Sequence, residues 1–312
     1  MGIHYLCSKF QLNNYIMRKE LEVKVERAIK LIQSASKIAA ENGCPEIEVA
    51  YSSGKDSDVI LELTKMSGVP YRAIYKNTTI DNCGAISHAK EMGAEMVRPK
   101  LSFFKLIEKH GLPNKLRRFC CGYLKEYKVL DYAIVGVRRE ESVRRAKRYI
   151  EPEQCRVYSK TEKVRQYFPI LDWTSQDVAE FISERGIKCH PLYYDEQGRF
   201  HPERRVGCIG CVMLDKKRIE YFKQYPNMVK AYARALRKFR ETHPNSKAVS
   251  MYADEYEHLV RDFFYWRKTQ KEWEEIKRTE FPVGGGTQLF ENQPVISCKQ
   301  FLENYFKIKF KD

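Results

Sequence analysis

No stretch of the chain approaches the roughly 18 uninterrupted apolar residues that crossing a bilayer requires, which excludes a helical membrane protein. The opening MGIHYLCSKFQLNNYIMRKE lacks a compact apolar signal core and a small-residue cleavage site, so the expected location is cytoplasmic, with no membrane partner. There is no internal repeat and no long low-complexity tract. Acidic residues are in deficit, 41 Asp and Glu against 56 Lys and Arg, and the formal charge of +15 biases the chain towards polyanions such as nucleotides or nucleic acid. The ten cysteines are too dilute for a small disulfide scaffold. Two close pairs among them favour metal or redox chemistry in a reducing compartment instead.

What is present is a core-forming composition, 43% hydrophobic, with an alternating pattern. Leu21, Val25, Ala28, Leu31, Ile32, Ala35, Ile38 and Ala39 recur at helical spacing, predicting a leading amphipathic helix over residues 19–41 that Asn42-Gly43 stops. Strands are then expected at 47–51, 71–75, 95–97 and 132–135, alternating with helices at 56–66, 84–92, 103–109 and after Cys120. Thr174-Ser-Gln-Asp177 reads as a capping box for a helix to Arg185. Beyond Leu214 the chain reads as charged helices to about Arg278, and Val283-Gly-Gly-Gly-Thr287 as a flexible loop. This order implies an α/β fold with a doubly wound, mostly parallel sheet and helical N- and C-terminal additions. The expected divisions are 1–43, 44–214 and 215–312.

Glu48-Val-Ala-Tyr-Ser-Ser-Gly-Lys-Asp-Ser-Asp-Val-Ile-Leu61 inserts a small, polar turn between two apolar runs. A strand that feeds a helix through such a turn presents backbone N–H groups and the positive end of the helix dipole to phosphate. Ser52 and Ser53 permit close approach, Gly54 permits the turn, Lys55 brings charge and Ser57 a hydroxyl; Asp56 is placed to position a magnesium ion. The spacing is not that of a Walker A loop, and an ordinary strand-to-helix turn would use the same residues. Gly136 ends another strand and leads into Arg138, Arg139, Arg144 and Arg145, which can fork onto phosphate or sulfate. Cys120-Cys121 and Cys208-Ile-Gly-Cys211 supply four thiols suited to an iron–sulfur cluster or a tetrahedral zinc. Arg117, Arg118, Arg204 and Arg205 flank them. Cys7, Cys44, Cys83, Cys155, Cys189 and Cys298 read as ordinary thiols, and His190 and His201 as structural.

The turn Ser52–Ser57 resembles the PP-loop Ser-Gly-Gly-x-Asp-Ser of the N-type ATP pyrophosphatases, the superfamily containing the phosphoadenosine phosphosulfate (PAPS) reductases, with Ser53 where the motif's first Gly stands. The resemblance covers roughly residues 45–215. It continues in Asn77-Thr-Thr-Ile-Asp81, in Gly136-Val-Arg138-Arg-Glu-Glu141-Ser142-Val-Arg-Arg145, in Pro169-Ile-Leu-Asp172-Trp173 and in His190-Pro-Leu-Tyr193. It implies an adenine nucleotide alpha hydrolase-like fold binding ATP, or PAPS or adenosine phosphosulfate (APS), through Ser52, Ser53, Gly54, Lys55, Asp56, Ser57, Thr78, Gly136 and Asp172. Lys55, Asp56, Arg138 and Arg145 are the expected catalytic set. The vicinal pair followed by Cys-x-x-Cys resembles the 4Fe–4S ligands of APS reductases and of DNA phosphorothioation ATP pyrophosphatases.

Two activities follow from this resemblance. One is ATP-dependent adenylation of a nucleic acid, DNA before RNA, for phosphorothioation-like sulfur transfer, with a cysteine desulfurase or other sulfur donor as partner. The other is sulfonucleotide reduction releasing sulfite, whose usual C-terminal Glu-Cys-Gly-Leu-His motif is missing here, leaving only Cys298 to substitute. A non-catalytic nucleic-acid-binding component is the third reading. Tyr265, Trp266 and Trp273 would suit a nucleic acid, although tail aromatics of this kind are mostly core.

Overall fold

A computed structural model describes residues 3–214, 216–281 and 296–311. The glycine-rich stretch 283–287 lies outside the described residues, as does the side chain of Cys7. Strands β1 (Ile47–Tyr51), β2 (Tyr71–Lys76), β3 (Glu95–Val97), β4 (Tyr132–Ile134), β5 (Glu153–Val157) and β6 (Lys163–Tyr167) form one sheet in the order β3-β2-β1-β4-β6-β5. Every pairing is parallel except β5 with β6. The doubly wound expectation holds. The antiparallel pair at the edge was not foreseen: Glu-Gln-Cys-Arg-Val and Lys-Val-Arg-Gln-Tyr carry long polar side chains on their outward positions and show no clean apolar run.

The chain divides into two compact units, residues 1–99 with 122–207, and residues 100–121 with 208–312. The first holds the sheet. Its helices include α1 (Ile3–Glu41), α2 (Lys55–Ser67), α3 (Ala85–Glu91) and, further on, Val143–Arg148 and Ser175–Arg185. The Thr174 cap forms as expected, its hydroxyl accepting from the Asp177 N–H at 3.0 Å. Strand alternation sorts the sheet into two faces. Ile47, Val49, Ala73, Ile134 and Tyr167 join a core with Leu21, Ala28 and Ile32 of α1, Val59, Ile60 and Leu63 of α2, and Val178 and Phe181. Their neighbours Glu48, Ala50, Ile74, Lys76, Ala133, Val135, Val164 and Gln166 face a cavity instead.

The second unit is helical, with segments Phe103–His110, Lys216–Gln224, Pro226–Thr242, Glu255–Phe264, Gln270–Glu280 and Cys298–Phe306. Its interior is aromatic: Phe222, Tyr232 and Phe263 meet one another within 5.6 Å between ring centroids. The two segments that carry the four paired cysteines, assigned from sequence to the nucleotide-binding domain, both belong to this unit.

Candidate functional site: a phosphate cradle and a four-cysteine loop

The turn after β1 is built as the sequence suggests, at a cost the structure offsets. Ser53 adopts a left-handed backbone, φ 59°, where glycine is the unstrained choice. Its buried hydroxyl donates to the Ala85 carbonyl at 2.6 Å, tying the turn to α3 and compensating for the missing glycine. Gly54 caps α2. Its N–H donates to Ser57 Oγ at 3.0 Å, and the Lys55 N–H donates to Tyr193 Oη at 3.1 Å. Beneath the turn, Asp58 is fully buried and accepts from Tyr51 Oη and shares a 3.0 Å contact with His88 Nε2.

Asp56 is doubly held: Lys55 Nζ reaches one carboxylate oxygen at 2.8 Å and Arg138 Nε the other at 2.7 Å. Arg138 is 2% exposed, and its remaining donors go to Glu140, the Trp173 carbonyl and Ser175. It therefore does not line the cavity, contrary to the expectation of an anion-binding arginine; it braces the turn through Asp56. Gly136 is required by close approach, since a Cβ there would stand 2.9 Å from the Asp56 carbonyl oxygen.

The turn opens into a cavity of about 440 Å³, of the size that small-molecule sites usually have. Ser52, Gly54, Lys55, Asp56, Ser57, Gly136 and Arg145 line it. Ser53 is buried behind the turn, and Thr78 is buried with its hydroxyl on Asp81 at 2.6 Å, so Asp81 rather than Thr78 reaches the cavity wall. Asp172, expected to contact the nucleotide, is exposed, pairs with Arg139 and does not line the cavity. Arg145 pairs with Glu141, and Arg205 lies 3.5 Å from the same carboxylate. Burial, and then the Arg205 charge, disfavour the Arg145 cation. Two guanidinium groups thus share one carboxylate, an excess of positive charge that an anion would relieve.

Motif reasoning missed the cavity floor. Glu48, almost wholly buried on the central strand, meets Lys76 Nζ at 3.1 Å, and Lys76 also donates to the Tyr127 carbonyl at 2.8 Å and sits over its ring. Tyr158 Oη accepts from Gln166 at 3.0 Å. The available signal was a carboxylate inside an otherwise apolar strand, a position that burial penalises unless it is paired. Tyr193 was noticed only as part of a motif; burial lifts its phenol to about 12, so it stays protonated beside Lys55. His190 is buried between the Cys83 carbonyl and the Leu192 N–H.

In the second unit the four cysteines come within electrostatic reach of one another. The hydrogen bond to Cys121, then burial, then the Cys121, Cys211 and Cys208 thiols push the Cys120 thiol well up. Among the described residues, however, no group of three or more His, Cys, Asp or Glu side chains is set to hold a metal ion. The Cys208–Cys211 loop is clamped from below. The Gly210 carbonyl accepts from Arg218 Nε at 2.9 Å and from Tyr232 Oη at 3.4 Å, and Arg218 pairs with Asp262 at 2.8 Å. Gly210 has φ 71°, and a Cβ would lie 2.5 Å from the Phe222 ring. Cys298 is buried, and desolvation first, then Glu257 and Asp254, push its thiol up to about 12.

Comparison with known proteins adds a family. The model described as the phosphoadenosine phosphosulfate reductase domain matches residues 46–214. An uncharacterised protein of Methanocaldococcus jannaschii is 27% identical over 247 residues, 74% of this chain and 54% of its own length. Sulfate adenylyltransferase subunit 2 of Shewanella baltica is 24% identical over 299 residues, 81% of this chain and 92% of that one. The chain spans about half the length of the uncharacterised curated relatives it matches. A PAPS reductase from Candida auris, solved with phosphate, aligns with TM-score 0.40 and 15% identity, over 57% of this chain and 87% of that one.

Proposed function

The chain belongs to the phosphoadenosine phosphosulfate reductase domain family, and on that premise we propose that it is an ATP pyrophosphatase that adenylates a nucleic acid for sulfur transfer. The observation that carries this reading is the braced turn Ser52–Ser57 at the carboxyl end of β1, opening onto a cavity of nucleotide size with Lys55, Arg145 and Arg205 around it. Phosphate oxygens would replace Ser57 Oγ and Tyr193 Oη as acceptors for the Gly54 and Lys55 N–H groups. Magnesium would neutralise the triphosphate. Asp56, already held by two cations, then acts by positioning the turn. An acceptor oxygen attacks the α-phosphorus, the bond to the β-phosphate oxygen breaks and pyrophosphate leaves. A persulfide sulfur from the donor displaces AMP, and a thiol takes up the donor as a disulfide.

Cys120, Cys121, Cys208 and Cys211 would hold a 4Fe–4S cluster, which supplies a redox and sulfur-binding centre when bound. Zinc is the alternative occupant, since four thiolates suit either group; among the described residues the side chains are not set to hold a metal ion of either kind. Sulfonucleotide reduction is weakened by Cys298, a buried thiol held protonated by burial and by two carboxylates.

The test is pyrophosphate release from magnesium ATP by anaerobically prepared protein, alone, with single-stranded DNA or RNA, and with sulfate, beside sulfite release from PAPS and APS with a thiol. Release stimulated by nucleic acid supports the proposal. Stimulation by sulfate alone, or sulfite without pyrophosphate, overturns it.

A further inference from the structure

The basic excess is not spread evenly. The second unit carries 26 Lys and Arg against 15 Asp and Glu, a formal +11 of the chain's +15, and the stretch 100–121 alone has six basic residues to one acidic. Four consecutive residues of that stretch, Lys115-Leu-Arg-Arg118, form a loop just before Cys120. Asn114 Oδ1 accepts from the Leu116 and Arg117 N–H groups at 3.0 and 2.8 Å, fixing the loop so that Leu116 stands 100% exposed. Arg117 and Arg118 are exposed and make no ion pair among the described residues. Lys115 Nζ lies 4.3 Å from the ring centroid of Trp266, which is 40% exposed on a second loop beside the exposed Arg267. Of the three tail aromatics singled out in the sequence, Trp273 is fully buried and Tyr265 donates to Glu280; Trp266 alone is presented to solvent.

An apolar side chain and an indole exposed among the Arg117, Arg118 and Arg267 guanidinium groups and a lysine form a poor solvated surface but a good contact surface. Duplex nucleic acid offers phosphates but keeps its base faces stacked; a single strand offers both phosphates and open base faces. We propose that Lys115, Leu116, Arg117, Arg118, Trp266 and Arg267 form the docking surface for single-stranded nucleic acid. Phosphates contact Arg117, Arg118 and Arg267, and an unstacked base lies against Trp266 or Leu116. This surface names the acceptor site of the activity proposed above and rests on that reading only for its purpose, since binding is measurable without turnover.

The experiment is fluorescence anisotropy with labelled single strands of about 20 nucleotides, in DNA and RNA arms, and a duplex of the same sequence, across a salt series. Wild type should prefer the single strand. Arg117→Ala with Arg118→Ala should weaken binding roughly tenfold and flatten the dependence of log K on log salt by about 1.4. Trp266→Ala should weaken it roughly tenfold with the salt slope retained. Lys37→Ala with Lys90→Ala, two exposed lysines of the other unit, should change neither, and thermal melts should confirm that all variants fold. Equal binding by both patch variants and wild type, a preference for duplex, or no binding at low salt overturns the proposal. Intact single-strand binding without pyrophosphate release would refute the proposed activity and leave the surface standing.

Discussion

Arg138 Nε donates to Asp56 Oδ1 across 2.7 Å, joining the turn after β4 to the turn after β1. Because the guanidinium is 2% exposed, Arg138→Ala leaves Asp56 with Lys55 alone, takes a donor from the Trp173 carbonyl and leaves Glu140 held only by Ser175. The expected loss in unfolding free energy is about 3 kcal/mol, read by urea denaturation. Arg138→Lys keeps the charge but not the fork, and should recover less than half of the loss.

Gly136→Ala probes the same junction sterically. The new Cβ meets the Asp56 carbonyl oxygen at 2.9 Å and carbonyl carbon at 3.1 Å, and neither backbone atom can yield without moving the turn. Affinity for a non-hydrolysable ATP analogue should fall by about tenfold, measured calorimetrically, with overpacking of about 1–3 kcal/mol visible as a lower Tm. Unchanged affinity would show that the nucleotide does not use this turn.

Cys298 should be inert. With its thiol pushed up to about 12, native protein treated with iodoacetamide at mildly alkaline pH should be alkylated at the exposed Cys83 and Cys155 and spared at Cys298. Peptide mapping by mass spectrometry reads the pattern. Labelling of Cys298 as fast as Cys83 would revive it as a nucleophile.

His258 should make the fold sensitive to acid. Burial first, then Arg240 and Arg261, push its imidazole down to about 3, and it stacks on Tyr252 with centroids 4.2 Å apart. In the unfolded chain it takes a proton near pH 6.5, so between about 3 and 6.5 the unfolded state binds more protons. Its contribution is therefore complete above pH 6.5 and declines as pH falls through that window, by at most about 1.4 kcal/mol per pH unit. His258→Gln should be less stable than wild type at neutral pH, and the gap should narrow towards pH 5 in denaturation curves.

The parts of the site legible in the sequence were those that a local pattern must encode. Small residues between two apolar runs, a glycine ending a strand and cysteines adjacent or three positions apart each leave a mark on the string; the first two fall on turns, Cys208 and Cys211 on a loop, and the vicinal pair in the short helix Phe119–Leu124. What escaped was whatever depends on neighbours distant in sequence. Arg138 looked like an anion ligand because nothing near it in the chain reveals that Asp56 is its partner. Asp172 looked like a cofactor contact because Arg139 is its partner in space, not in sequence. Glu48 and Lys76 carry no motif, and only the β1 to β2 register brings them together. Strands β5 and β6 were lost because an edge pair can be half polar and still complete a sheet.

The chain passes between its two units three times, and two of the passages fall beside the paired cysteines: Cys121 closes the first segment of the second unit and Cys208 opens the next. Whatever ties these two thiols together, metal, cluster or oxidant, fastens the ends of residues 122–207 to each other. Half of the nucleotide cavity, including Gly136, Arg145, Gln166 and Tyr193, lies on that tethered loop. By the entropy of closing a loop of that length, the tie would remove about 4.6 kcal/mol of freedom from the unfolded chain. A chelator or a thiol oxidant would then act as a staple remover or a staple for the whole fold, and sulfur chemistry in one unit would set the lifetime of the nucleotide pocket in the other.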